Sequence, residues 1–482
     1  MDANIEKTPR VVLLHSNDLH SRLEQAARMA SFISAERAAC GAEALLVVDC
    51  GDHMDRMRVE TEGSDGRVNI ELLNAAGYDA VTLGNNEGLT YTKAELESAY
   101  ASYAGFEVLC ANLYEQDSGL RPEWLHPHTK LTKNGIRIGI TAVTAAFAEF
   151  YRLLGWEATH PYEEVRRQVE QLRGEVDVLI VLSHLGLSAD ERMAEDIEGI
   201  DLILGAHTHH LLLEPIVRGS TTICAAGKFG EYMGRVEIEL APDSRKPIIS
   251  GGCIEMAAEA PQENCIEIIA HYLKESSGRL ARQVAELSEP LSNPHEQDAP
   301  LSNLLAAGLK KLTGAELGLV NTGQLLGGLA VGKVTAGQLH ALCPSPINPC
   351  KMKLSGADLL QALEESMLVE YRSKPIKGFG FRGEVLGALA VDGMELSYDV
   401  SRPPYHRIVS ARIHGELLQQ ERLYTVGTID MFTFGVGYMS LKNGQELEFI
   451  LPEFIRDVLA SQLQVAHERE QCLNRRWRPS VS

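Results

Sequence analysis

The feature that most limits the possible folds is a series of short apolar runs spread through the first half of the chain. They are Val11–Leu14, Ala44–Val48, Ala80–Leu83, Phe106–Leu109, Ile136–Val143, Val176–Leu182 and Ile200–Leu204. Short runs, often β-branched, suit strands covered on both faces. Stretches with helical spacing at Leu23–Ala39, Asn69–Ala76 and Tyr162–Arg173 fall between them. Strands alternating with helices predict an α/β domain.

Five of the runs lead straight into side chains that bind metals. Val11–Leu14 is followed by His15-Ser16-Asn17-Asp18-Leu19-His20, and Ala44–Val48 by Asp49-Cys50-Gly51-Asp52-His53. Ala80–Leu83 leads to Gly84-Asn85-Asn86-Glu87, Val176–Leu182 to Ser183-His184, and Ile200–Leu204 to Gly205-Ala206-His207-Thr208-His209. Loops at the carboxyl ends of strands in an open α/β sheet meet in one crevice. Carboxylates, an amide and imidazoles are thus expected to converge from distant positions. A carboxylate such as Asp52 can bridge two cations, and imidazole-rich donor sets favour Mn, Zn, Fe or Co over Mg. Imidazoles must be neutral to ligate, so metal affinity is expected to fall on acidification.

Charge narrows the partners. The chain carries 45 Lys and Arg against 66 Asp and Glu, a formal charge of −21. Such a surface repels phosphate backbones, so no nucleic-acid polymer is expected as a partner. Two divalent ions held by two carboxylates would still leave a local positive site for a small phosphate. No stretch approaches the ~18 apolar residues of a membrane span, so no membrane partner is expected. Nine cysteines without a Cys-x-x-Cys pair read as reduced thiols in a cytoplasmic setting.

Composition turns near residue 255. A helical stretch, Glu263–Leu287, is flanked by Pro261, Pro290, Pro294 and Pro300, which predicts a connecting helix and a stiff linker. Beyond it, a helix is expected at Leu301–Leu312 and a closing helix at Leu451–Leu473, followed by a tail that frays. Strands are expected at Leu317–Val320, Met394–Tyr398, Ile408–Ile413 and Tyr424–Thr428. The resulting domains are 1–255, a linker over 256–295, and 296–482. Gly378-Phe379-Gly380-Phe381-Arg382-Gly383 matches a dinucleotide-binding pattern, but it follows Lys374-Pro375 rather than a strand and is set aside.

Asn17-Asp18-Leu19-His20, Gly51-Asp52, Gly84-Asn85-Asn86-Glu87, His184 and Gly205-Ala206-His207-Thr208-His209 resemble the motif series of calcineurin-type metallophosphoesterases. Their order, with the C-terminal half, is similar to the two-domain 5′-nucleotidase family, in particular its cytoplasmic bacillary branch. The resemblance implies a four-layer αββα catalytic domain. It also implies a smaller α/β C-terminal domain that supplies substrate specificity and rotates relative to the first. One metal site would use Asp18, His20, Asp52 and His209, the other Asp52, Asn85, His184 and His207, with Asp52 bridging. A hydroxide between the two ions would attack phosphorus in line.

The chain departs from that family at several positions. Asn86 stands where the family has a His, and Leu89 where it has the Asp that orients that His. An amide donates a hydrogen bond but is no general acid, and loss of acid–base help costs about 10²–10⁴-fold. Candidate catalytic residues are therefore Asn86, His53 and Arg56, the last because a guanidinium can hold phosphate bidentately; the alternative for His53 and Arg56 is a solvated loop. In the C-terminal half, Asn321-Thr322-Gly323-Gln324-Leu325 lacks the family's phosphate-binding Arg. Asn321 and Gly323 are candidate substrate contacts there. Phe432 is either a base-stacking residue or core, and Phe379 and Phe381 lie nearest in sequence to the second aromatic of the family. The incomplete pair argues against adenosine monophosphate specificity. The expected function is dinuclear metal-dependent hydrolysis of a nucleotide or related small phosphate ester, including a cyclic nucleotide or a nucleotide-sugar diester. The alternative is a metal-bound nucleotide-binding protein with negligible turnover.

Overall fold

The computed structural model describes residues 9–378 and 380–480. They form two compact units, the first ending at Ser276 and the second beginning at Ser277. The division falls inside the segment 256–295. Helix Glu263–Leu280 buries Cys265, Ile269 and Tyr272 in the first unit's core. The expected helix over 263–287 stops at Leu280, because Gln283–Leu287 is a strand paired with Gly332–Thr335 in the second unit.

The first unit holds two six-stranded sheets. Across the first, the order is Pro247–Glu255, Tyr232–Leu240, Arg10–Ser16, Leu45–Asp49, Ala80–Thr82, Glu107–Leu109. Across the second it is Ile216–Arg218, Thr221–Cys224, Leu202–Gly205, Val178–His184, Ile136–Thr144, His128–Lys133. Side chains alternate along a strand, so each strand feeds two layers. Val11 and Leu13 join Ile138, Ile140, Ile180 and Leu204 between the sheets. Val12 and Leu14 face outward onto Leu23 and Ile33 of helix Leu23–Cys40 and Leu72 of helix Arg67–Ala76. On the far side, Leu179, Val181 and Ile203 pack against Val165 and Met193 of helices Pro161–Leu172 and Leu187–Asp196. The layers are therefore helix, sheet, sheet, helix.

Register sets up the site. In the parallel pairs Ser16 lies opposite Asp49, and Gly205 opposite Ser183. The loops that follow these strands therefore leave the sheets side by side.

The second unit centres on a five-stranded sheet in the order Leu389–Asp392, Leu317–Asn321, Leu423–Ile429, Pro349–Ser355, Gln445–Phe449. Helix Pro300–Thr313 buries Leu301, Leu304, Leu305 and Leu309 in the same core. The expected closing helix is two helices, Ile455–Leu463 and Ala466–Gln471. The tail does not fray: Trp477–Pro479 pairs in parallel with Met394–Tyr398, and the Trp477 indole N–H donates to the Leu389 carbonyl at 3.0 Å. No helix among the described residues is long and apolar enough to cross a membrane. All nine cysteines are free thiols.

Candidate metal centre

The loops after five strands of the first unit carry the side chains that the sequence groups as metal donors. Their backbone is unusual. Asp18, His20, Asp52, His207 and His209 have φ of 50°, 47°, 54°, 73° and 58°, in the left-handed region that a Cβ disfavours. Cross-loop hydrogen bonds hold two of these loops together. The N–H groups of Asp18, His20 and Ser21 donate to the carbonyls of Gly51, Asp52 and His53 at 3.0, 2.8 and 3.0 Å. Gly84 lies so close that a Cβ there would overlap the Asp52 carboxylate, which explains why that loop begins on glycine.

Donor atoms gather in two groups, Asp18 with His20 and His209, and Asp18 with Asp52 and His184, each within 4.8 Å of one another. Asp52 belongs to the second group and reaches toward the first, with Oδ1 3.4 Å from His184 Nε2 and Oδ2 3.8 Å from His20 Nε2. His209 Nε2 is 3.4 Å from Asp18 Oδ1 and 3.3 Å from His20 Nε2. Asn85 Oδ1 accepts from His184 Nε2 at 3.2 Å. His207 donates its backbone N–H to Asp18 Oδ2 at 3.0 Å, and its ring centroid lies 5.2 Å from that of His184. The structure thus brings all seven expected donors to one place. Asp18 contributes to both tight groups.

Protonation follows from burial and from the carboxylates. Burial pulls His184 down, but the Asp52 carboxylate and the Cys50 carbonyl, which accepts from Nδ1 at 2.8 Å, outweigh it and hold the imidazole above its ordinary pKa. For Asp52, burial pushes up, while His184 and then His20 hold the carboxyl below its usual range. Burial lowers His20 and His207, which keeps them neutral, the form that ligates. Four pre-gathered imidazoles, two carboxylates and an amide oxygen, five of them on residues whose backbone is strained to aim them, fit divalent transition ions.

The other candidates lie differently. Asn86 does border the centre: its backbone N–H donates to Asp52 Oδ1 at 2.7 Å, and its side-chain amide donates to His20 Nδ1 at 2.8 Å and to the Met54 carbonyl at 3.1 Å. The expectation for His53 is not met. It is fully buried, held by Asp49 Oδ1 at 3.1 Å and the Tyr100 hydroxyl at 2.8 Å. Arg56 is also committed elsewhere, to Glu62 and the Thr90 carbonyl, both at 2.8 Å, and it lies over the Tyr91 ring.

In the second unit Asn321 is buried and donates to the Leu386 carbonyl at 2.6 Å, and a Cβ at Gly323 would overlap the backbone of Val385. Both serve packing rather than an open binding surface. Phe432 and Phe381 are core residues, which corrects the stacking role for Phe432. Phe379 lies outside the described residues.

Three supporting residues were missed from sequence. Asn17 accepts from the Ala226 N–H at 3.0 Å and donates to Asp18 Oδ2 at 2.8 Å. Asp49 accepts from the Gly51 N–H at 2.9 Å. Glu87, buried, accepts from the N–H groups of Asp52, Gly84 and Met54 at 2.9, 2.7 and 2.7 Å. Their signal was present, since each sits within a few positions of a donor in the same polar cluster.

The sequence matches the calcineurin-like phosphoesterases over residues 11–211 and the C-terminal domain of the 5′-nucleotidases over residues 280–442. It is 34% identical over 456 residues to the uncharacterized metallophosphoesterase YunD of Bacillus subtilis, covering 94% of this chain and 98% of that protein. The structure resembles Haemophilus influenzae NAD nucleotidase, with a TM-score of 0.68 at 14% identity, covering 98% of this chain and 99% of that one. It also resembles a 5′-nucleotidase precursor from Thermus thermophilus, with a TM-score of 0.60 at 21% identity and coverage of 98% and 99%. At those identities the two structures speak for a shared fold.

Proposed function

Because the chain belongs to the metallophosphoesterases that join a calcineurin-like domain to a 5′-nucleotidase C-terminal domain, and is a metal-dependent phosphohydrolase, we propose that it cleaves a nucleotide or related small phosphate ester at a dinuclear centre. The observation that carries this reading is the gathering of donors from five loops, with the two Asp52 oxygens directed to opposite groups. Asp18, His20, Asp52 and His209 would hold one ion, and Asp52, Asn85, His184 and His207 the other. When bound, such ions acidify water and withdraw charge from a phosphoryl group. The Cys50 carbonyl fixes the Nδ1–H tautomer of His184, leaving Nε2 toward the centre. Asn85 adds no negative charge, which keeps the centre attractive to phosphate. Asn86 steers the His20 ring.

The imidazole-rich donor set supports Mn, Zn, Fe or Co. The names of relatives support a nucleotide substrate. We also place the working environment in the cytoplasm, a reading supported by nine unpaired thiols; titration of the denatured, unreduced protein should return nine.

The test is release of p-nitrophenol from its phosphate monoester and diester with added Mn²⁺. Wild type is expected to turn over at least one of them, and Asp52→Ala to lose about 10³-fold or more, as loss of metal-assisted catalysis would give. Equal release by both proteins overturns the proposal.

A further inference from the structure

The chain is acidic, yet beside the candidate metal centre two cations have no acidic partner among the described residues. Arg22 is exposed and comes two residues after His20. Among the described residues its guanidinium has no carboxylate or carbonyl partner; it lies over the Phe229 ring, with Cζ 4.6 Å from the centroid. Lys228 Nζ also lies 4.6 Å from that centroid, and among the described residues Lys228 has no acidic partner either. The same ring meets the two imidazoles of one donor group, with centroids 5.7 Å from His20 and 6.4 Å from His209.

Phe229 is held in place deliberately. Its φ is 60°, an outlying conformation for an aromatic residue. It persists because the Phe229 N–H donates to the Asp18 carbonyl at 2.8 Å, and the Gly227 carbonyl accepts from Asn17 Nδ2 at 2.6 Å. The residues that carry the donors therefore also fix the ring. Cations over the face of an aromatic ring are attracted by its quadrupole. The ring thus holds two cations close beside one group of donors.

We propose that Arg22 and Lys228, ordered on Phe229, form an anion subsite at the rim of the centre. It takes the non-transferred phosphate of a substrate with two linked phosphates. This rests on the metal-centre reading and deepens it. In such a substrate, water oxygen adds to the phosphorus at the centre and the bond from that phosphorus to the bridging oxygen breaks. The electron pair stays on the departing phosphate, and the protons of water pass to the products or to solvent. Two cations at the departing phosphate lower its need for a proton, which suits a centre where the side chain beside His20 is the amide of Asn86. Guanidinium is suited to this task because its planar fork meets phosphate bidentately.

The experiment is calorimetric binding to Mn²⁺-loaded protein with two probes, inorganic phosphate and imidodiphosphate, the latter not hydrolysed, both at saturating free Mn²⁺. Wild type is expected to bind imidodiphosphate more tightly than phosphate. Arg22→Ala should weaken imidodiphosphate about tenfold, the scale of one charge-assisted contact, and change phosphate less than about twofold. Arg22→Lys should recover part of the loss, and Lys228→Ala should act in the same direction. Thermal denaturation of each variant guards against misfolding. If wild type binds phosphate but prefers it to imidodiphosphate, or if Arg22→Ala weakens both probes alike, the subsite is overturned while the metal centre stands. If Mn²⁺ itself does not bind, the metal-centre reading falls and the subsite with it.

Discussion

Asp430 is buried in the second unit, where its carboxylate accepts from the Asn348 N–H at 3.3 Å. Burial pushes its pKa from 3.8 up to about 7. The folded state therefore holds this proton more tightly than the unfolded chain does. Its contribution to stability is full below about pH 4 and is lost as pH rises through about 7, a span of up to ~4 kcal/mol. Asp430→Asn should flatten that part of the stability curve, measured by urea denaturation between pH 4 and 8; an unchanged slope would show that Asp430 does not cause it. Asn86 offers a second residue-scale test. Its amide orients the His20 ring; with Nε2 on an ion, Nδ1 would carry the proton and the Asn86 amide oxygen would have to accept it, so Asn86→Ala should weaken Mn²⁺ binding about 10–100-fold, as loss of a ligand's supporting partner does, with turnover restored by excess metal. A fall in kcat that persists at saturating metal would instead give Asn86 a direct role on substrate. The seven candidate donors were legible as a group because each follows an apolar run by a few positions. His53 and Arg56 misled for a physical reason: proximity along a loop says nothing about which way a side chain turns. His53 found Asp49 and Tyr100 in the interior, and Arg56 found Glu62.

At the level of elements, buried parallel strands were the easiest to read, since both faces are apolar and the run is continuous. The hairpin of Tyr232–Leu240 and Pro247–Glu255 was missed because its outer strand is largely exposed and carries Gly251 and Gly252. The strand Trp477–Pro479 has no local signal at all; it forms through its partner Met394–Tyr398. The packing of helix Pro300–Thr313 on its sheet gives a test. A Cβ at Gly318, on strand Leu317–Asn321, would overlap the Ala306 carbonyl of that helix. Gly318→Ala should force the two apart and cost ~1–3 kcal/mol, read as a lower denaturation midpoint with an unchanged denaturant slope. A variant as stable as wild type would mean that the helix can shift freely.

For the whole molecule, the division into two units sets the candidate metal centre apart from the second unit, since all seven candidate donors lie before Ser276. Ligand that binds only the folded form stabilises it, by ~2.7 kcal/mol at a hundredfold excess over Kd. Scanning calorimetry with increasing Mn²⁺ should therefore move one melting transition upward and leave another in place; two transitions that move together would show that the units melt as one. Domain order and fold class were legible because composition and strand–helix alternation are long-range averages, whereas the division inside helix Glu263–Leu280 depends on which side chains it buries. One consequence reaches furthest. The five donor-bearing residues with left-handed backbone are places where glycine would sit more comfortably. A variant library sorted for heat tolerance alone should drift toward glycine at 18, 20, 52, 207 and 209, and lose its chemistry in doing so, so only continued demand for turnover keeps those side chains where they are.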